Sequence, residues 1–201
     1  MRSLVCAFIF LLQIQVDAQQ IKLPFAAIDR SSLQDLRLTE IGEFGLLRKK
    51  RPKVPAHFHT GIDICRAGND YDNNQIFPIA KGIVISKRVD GPYAQLIIEH
   101  HHATGTFWTV YEHIAEINVH LHEEVSTRRP IARFMNRNEL DEYGWQFDHF
   151  HLEILKKHPI KITPNQKLKD RHFMSYTLKC FSPEDLVIYY YNPMYFFEDH
   201  L

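Results

Sequence analysis

The sequence is short of cysteine, carries no excess charge and has hardly any long apolar run. Cysteine occurs three times in 201 residues, whereas a closed structural zinc site is usually richer in thiolates. Lysine plus arginine and aspartate plus glutamate each number 24, so the net charge gives no support to a nucleic-acid partner, which asks for a basic face. Internal repeats and low-complexity segments are not evident. Beyond the first residues nothing could span a membrane, for which a helix needs ~20 apolar residues.

The N-terminus is the exception to that last statement. Arg2 precedes an apolar run from Leu4 to Leu12, and Val16-Asp17-Ala18 follows. This pattern predicts a secretory signal peptide over residues 1–18, cleaved after Ala18. Gln13 and Gln15 interrupt what would otherwise be an anchor, and Cys6 sits ahead of most of the apolar run, unlike a lipoprotein cysteine. Residues 19–201 are therefore expected to be exported and to form one domain, with no stable membrane insertion after cleavage. Only Cys65 and Cys180 then remain. Export permits a disulfide between them, and two buried free thiols are the alternative.

Histidine is what the chain has in quantity, with 13 residues, and their placement matters more than their number. In Asp148-His149-Phe150-His151-Leu152-Glu153-Ile154 the apolar residues alternate with polar ones, the pattern of a strand with one buried face and one open face. His149 and His151 would stand ~6.6 Å apart on the open side, given a rise of ~3.3 Å per residue. Upstream, His57-Phe58-His59-Thr60-Gly61-Ile62-Asp63-Ile64-Cys65 places His59 and Asp63 on a shared face if extended, with Gly61 leaving the space between them clear. His59, Asp63 and either His149 or His151 would supply two nitrogens and one oxygen. With water in a fourth position, that is the donor set of a catalytic zinc site.

The order His-x-Gly-x-Asp, then Tyr111-Glu112-His113-Ile114, then His-x-His resembles the lysostaphin and LytM-type zinc metallopeptidases, which cut peptide bonds in bacterial peptidoglycan. Pro78, Ala80, Gly82 and Val84 match a scaffold segment of the same family. The resemblance covers about Pro55 to Leu155. It implies one zinc ion per chain, held by His59, Asp63 and His151, with His113 and His149 as catalytic residues that are not ligands. Where the family has glycine-rich stretches, this chain has Thr127-Arg128-Arg129-Pro130 and Asn136 to Gly144, so its cleft should be shaped differently.

The remaining segments read as scaffold. Ser31-Ser32-Leu33-Gln34 has capping-box spacing and predicts a helical turn. Arg48 to Lys53 is rich in basic residues and reads as a solvated loop. Asn69 to Asn74 lacks the glycine and glutamate of a calcium loop and reads as a surface turn. Ile76 to Ile85 should split into two extended pieces around Pro78 and Gly82. Tyr93 to His100 and Thr106 to Ile114 should form a hairpin, with His100-His101-His102 at its end and unable to converge on a metal. His120, His122, Glu123 and Glu124 read as solvated polar residues. Ser182-Pro183 and Asn192-Pro193 each predict a helix start, with Tyr195, Phe196 and Phe197 packing on the domain.

The expected fold is mainly β, a single antiparallel sheet or sandwich-like domain with short peripheral helices. Its parts are an N-terminal segment (19–54), a metallopeptidase core (55–155) and a C-terminal extension (156–201) packed on the core. The expected function is zinc-dependent hydrolysis of peptidoglycan peptides in the periplasm, envelope or medium. The alternatives are a non-catalytic wall-binding or hydrolase-activating module and an exported peptidase acting on protein.

Overall fold

Runs of β-branched and aromatic residues decide the architecture of this mainly antiparallel β protein, whose computed structural model describes residues 20–201 apart from Ile28, Lys53, Asn73 and Thr104. The expected signal peptide, residues 1–18, lies outside the described residues. Among the described residues no helix is long and apolar enough to cross a membrane.

In chain order, β1 (Leu47–Arg48) pairs with β2 (His57–Phe58), and β3 (Ile62–Ile64) and β4 (Gln75–Ile76) follow. β5 (Gly82–Arg88), β6 (Gln95–His102) and β7 (Gly105–Glu112) form an antiparallel meander. β8 (Glu124–Val125) adds to β5, and β9 (Ala132–Arg133) pairs with β4. Helix α1 (Arg137–Tyr143) leads to β10 (Phe150–Leu155), the strand that carries the His-x-His segment. In the tail, β11 (Ile160–Lys161) pairs with β12 (Phe173–Met174), and α2 (Pro183–Tyr189), β13 (Tyr190–Tyr191) and α3 (Pro193–His200) end the chain.

The main sheet runs β13-β10-β7-β6-β5-β8, with β3 also on β10. One edge of β10 is shared: its first half pairs with β3, placing Asp63 opposite His151, and its second half pairs with β13. The other edge pairs with β7, placing Glu112 opposite His151. Strand β10 is therefore the strand on which the N-terminal, central and C-terminal parts of the chain meet.

Period-2 alternation sends Leu96, Ile98, Tyr111, Phe150, Leu152 and Ile154 into the larger core. The opposite face of the sheet is also buried. There Ile97, Val110 and Leu155 pack with Cys180, Leu186 and Tyr190 of the tail. This corrects the expectation of an open face on the His-x-His strand: every residue from Phe150 to Leu155 is buried, Glu153 to 1% exposure. The larger core also takes in Ile21, Leu23 and Phe25 from the N-terminal segment and Phe196 and Phe197 from α3, while Tyr195 faces solvent.

The local signals had mixed outcomes. Residues 76–85 split as predicted, between Ile76 and Gly82. The irregularity in β5 falls between Val84 and Ser86, however, and Gly82 is needed because a Cβ there would lie 2.5 Å from the Glu99 carbonyl oxygen. Ser182 and Asn192 cap α2 and α3 with their side chains. Ser32 precedes only a three-residue 3-10 turn, Leu33–Asp35, and makes no side-chain cap, since so short a turn offers little helix to stabilise. Helix α1 was not anticipated, although Asn136 and Glu139 form a full capping box at its start. Cys65 and Cys180 are free, which overturns the disulfide alternative; burial pushes the Cys180 thiol up to about 12.

Candidate metal centre

His59 lies in the short link between β2 and β3, where the backbone is held by the N-terminal segment. Its amide donates to the Leu46 carbonyl, and the Gly45 amide donates to the His59 carbonyl. Its ring Nδ1 lies 2.8 Å from the Glu43 carbonyl oxygen. A carbonyl can only accept, so Nδ1 carries the proton and the Nε2 lone pair is left facing inward.

Gly61 follows, and its bareness has a use that periodicity alone does not give. A Cβ there would sit 2.2 Å from the Leu152 carbonyl oxygen and 2.8 Å from Cε1 of His151. Only glycine lets β10 bring the His151 ring this close. Asp63 then follows on β3, its backbone bonded to Gly42 and Thr39.

Three atoms converge there. His59 Nε2 lies 3.0 Å from Asp63 Oδ1 and 3.0 Å from His151 Nδ1, and His151 Nδ1 lies 2.9 Å from Asp63 Oδ1. All three residues are buried, and their donor atoms fall within 4.8 Å of one another. The second nitrogen of His151 points the other way, 3.2 Å from Glu153 Oε1. Burial alone would raise the Asp63 carboxyl, but the His151 and His59 imidazoles beside it outweigh that and hold it far below the usual range. Burial pulls His151 down, yet the Asp63 and Glu153 carboxylates lift it to about 10. Burial lowers His59 despite its bond to Asp63. Two buried carboxylates around His151 favour a cation here, and a metal ion can take the place of the proton that His151 Nδ1 otherwise shares with Asp63. Two imidazole nitrogens and one carboxylate oxygen suit zinc.

His149 and His113 stand beside this triad. His149 Nε2 lies 3.7 Å from Asp63 Oδ1, and its ring meets that of His113 edge-on at 5.3 Å between centroids. His113 follows β7 directly with φ of +62°, a left-handed conformation that histidine adopts more readily than most residues and that turns the chain out of the strand. The His113 Nδ1–H donates to the Pro92 carbonyl at 2.6 Å, leaving Nε2 as an acceptor. Burial lowers both imidazoles to about 4, so both are neutral near pH 7. Tyr93, half of it exposed, and Phe147 flank His113 with ring centroids 6.0 and 4.9 Å away.

All five residues singled out in the sequence are thus brought to one place. Sequence reasoning missed two that touch them, Arg48 and Glu153, and a third, Arg66, that braces the neighbouring bend. Arg48, read as part of a solvated basic loop, is on β1 opposite His57 and donates to Asp63 Oδ2 at 2.7 Å. Nothing local signals that contact, which depends on the β1–β2 pairing. Arg66 donates to Asp148 Oδ1 at 2.6 Å and to the Met135 carbonyl, pinning the bend before His149. Glu153 was placed on an open face and is instead enclosed. His120, His122, Glu123 and Glu124 lie apart from this centre, and Glu123 pairs with Arg129.

Comparison with known proteins bears on the same segments. The sequence profile described as Peptidase family M23 matches residues 57–164, more than half of the chain. No curated protein matches it. Similar solved structures include a chain from the SpoIIIAH and SpoIIQ complex, 16% identical over 91% of this chain and 95% of that one, with a TM-score of 0.41. A zinc-containing peptidase from Vibrio cholerae is 22% identical over 68% of this chain and 37% of that one, with a TM-score of 0.44. Lysostaphin in solution is 13% identical over 85% of this chain and 54% of that one, with a TM-score of 0.49.

Proposed function

The chain belongs to Peptidase family M23, and from that premise we propose that it is an exported zinc-dependent endopeptidase that hydrolyses peptides of bacterial peptidoglycan. The observation that carries this reading is the convergence of His59, Asp63 and His151 beside two further neutral imidazoles, all from within the matched segment.

In this reading His59 Nε2, Asp63 Oδ1 and His151 Nδ1 would hold one zinc ion, whose Lewis acidity would be available to a water nucleophile and a peptide carbonyl. The remaining work falls to the chain's own side chains. His149 and His113 are unprotonated and can accept a proton from the attacking water, and once protonated either can donate to the carbonyl oxygen as it gains charge. Glu43 and Pro92 keep the rings of His59 and His113 in fixed tautomers, so no rotation precedes reaction. The enclosed side of the triad excludes bulk water, while the His149–His113 side is where a peptide would lie against Tyr93 and Phe147.

The test is zinc content and muropeptide release by purified residues 19–201, with His151→Ala as control. New peptide ends that vanish in the control support the reading. Bound zinc without product from wall or from protein substrates sinks it in favour of a non-catalytic module, and cleavage of protein alone reassigns the substrate.

A further inference from the structure

Glu153 is a buried carboxylate in unusual company. Its Oε1 accepts from the Thr60 hydroxyl at 2.5 Å and the Thr177 hydroxyl at 2.7 Å, and lies 3.2 Å from His151 Nε2. Its Oε2 is buried without a hydrogen-bond partner. Among the described residues it forms an ion pair with His151 and with no lysine or arginine. Three donors crowd one oxygen while the other has none, an expensive arrangement for a group that served packing alone.

The direction of the contacts indicates a purpose. A carboxylate facing Nε2 accepts a hydrogen bond from the N–H there, so the nitrogen that can give up its proton to a metal is Nδ1, the atom that faces His59 and Asp63. Strand geometry contributes the rest, because residues 151 and 153 share one side of β10 and their side chains stand together. Thr60 comes from the link next to His59. Thr177 comes from the C-terminal extension, and Ser175 braces it at 2.8 Å. The Tyr176 amide between them donates to the Tyr190 hydroxyl at 2.8 Å, fixing the turn to the strand that pairs with β10.

We propose that Glu153, gripped by Thr60 and by Thr177 of the extension, is a positioning residue that fixes His151 as an Nδ1 ligand, so that residues 156–201 form part of the metal centre. This rests on the metal-binding half of the function proposed above and is independent of what substrate is cut. The extension sets the affinity of the site by holding the group that orients one of its ligands.

The experiment measures the zinc Kd by chelator competition, together with the absorption bands of the cobalt-substituted protein, for the full chain and for Glu153→Gln, Thr177→Val and Thr177→Ser. Glu153→Gln should weaken zinc binding by ~10- to 100-fold, the usual effect of losing such a partner, and shift the cobalt bands. Thr177→Val should weaken it less and Thr177→Ser should restore it, which a purely steric role for Thr177 would not produce. Unchanged Kd and cobalt bands in both Glu153→Gln and Thr177→Val overturn the proposal, as does a wild-type chain that binds no zinc. If Glu153→Gln does not fold, Thr177→Val against Thr177→Ser decides. A wild-type chain that binds zinc but cleaves nothing defeats the endopeptidase reading, while the order of the three affinities still tests this one.

Discussion

The two ends of strand β7 both gather histidines, and they have opposite fates. At its start, across the turn from β6, stand His100, His101 and His102, consecutive in sequence. His100 is fully buried, with its ring nitrogens 2.9 Å from the Lys81 carbonyl and 2.8 Å from the Thr109 hydroxyl, and it stacks on Phe107. His101 is exposed beside Glu99 and Thr106, and His102 meets the ring of His200. At the far end, His113 joins His59, His149 and His151, which come from two other stretches of chain and surround one carboxylate. Density along the sequence places side chains on alternating faces. Only convergence from separate strands makes a centre.

The comparison breaks most sharply at the ligands. Replacing His59 or His151 with alanine should remove bound zinc and reduce hydrolysis to the level of the solvent blank, measured by metal analysis and peptide release. Zinc retained by the His151 variant would return the set to the alternative with His149, and zinc retained by the His59 variant would overturn both sets. Next in size, His149→Ala or His113→Ala should keep the metal and slow turnover by ~10²- to 10⁴-fold, the range for losing a positioned acid or base.

How much of this was legible in the sequence follows from the same contrast. Alternation gave the strands, and the Ser182-Pro183 and Asn192-Pro193 pairs gave the tail helices, because those signals act within a few residues. The five candidate residues could be named together because their spacing and order resemble a family pattern, and the fold brings them to one place. Arg48 was not, since its contact with Asp63 needs β1 to pair with β2, and a basic run looks alike whether solvated or docked. Nor was the enclosure of Glu153, because Thr177, which bonds it, belongs to a tail whose path no local pattern fixes. Helix α1 did carry its signal in Asn136 and Glu139, within a stretch whose polarity suggested a loop.

The hairpin end should matter to stability and not to metal. Burial lowers His100 to about 4, against an ordinary value near 6.5. An unfolded chain takes up this proton before the folded one does, so the stability His100 contributes is intact above pH ~6.5 and is lost as the pH falls toward 4. Between those limits the change is about 3 kcal/mol, an order-of-magnitude figure. Thermal unfolding of His100→Gln at pH 7 and pH 5 should show a smaller drop than the wild type, with zinc affinity unchanged at pH 7. An equal drop would place the acid sensitivity elsewhere. Smallest of all, His101→Ala should alter unfolding free energy by less than ~0.5 kcal/mol, as exposed substitutions do. A larger loss in denaturant titration would give the exposed pair with Glu99 a weight its setting does not suggest.

The pairing of Asp63 with His151 across β3 and β10 also sets a timetable. These residues lie 88 positions apart, so their meeting closes a loop of nearly half the chain and is among the late, slow contacts of folding. During synthesis His59 and Asp63 emerge early and wait without their third partner until β10 has left the ribosome, and Thr177 follows later still. A nascent or prematurely ended chain that stops before β10 thus lacks one of the three donors, and the set comes together only once that strand has been made.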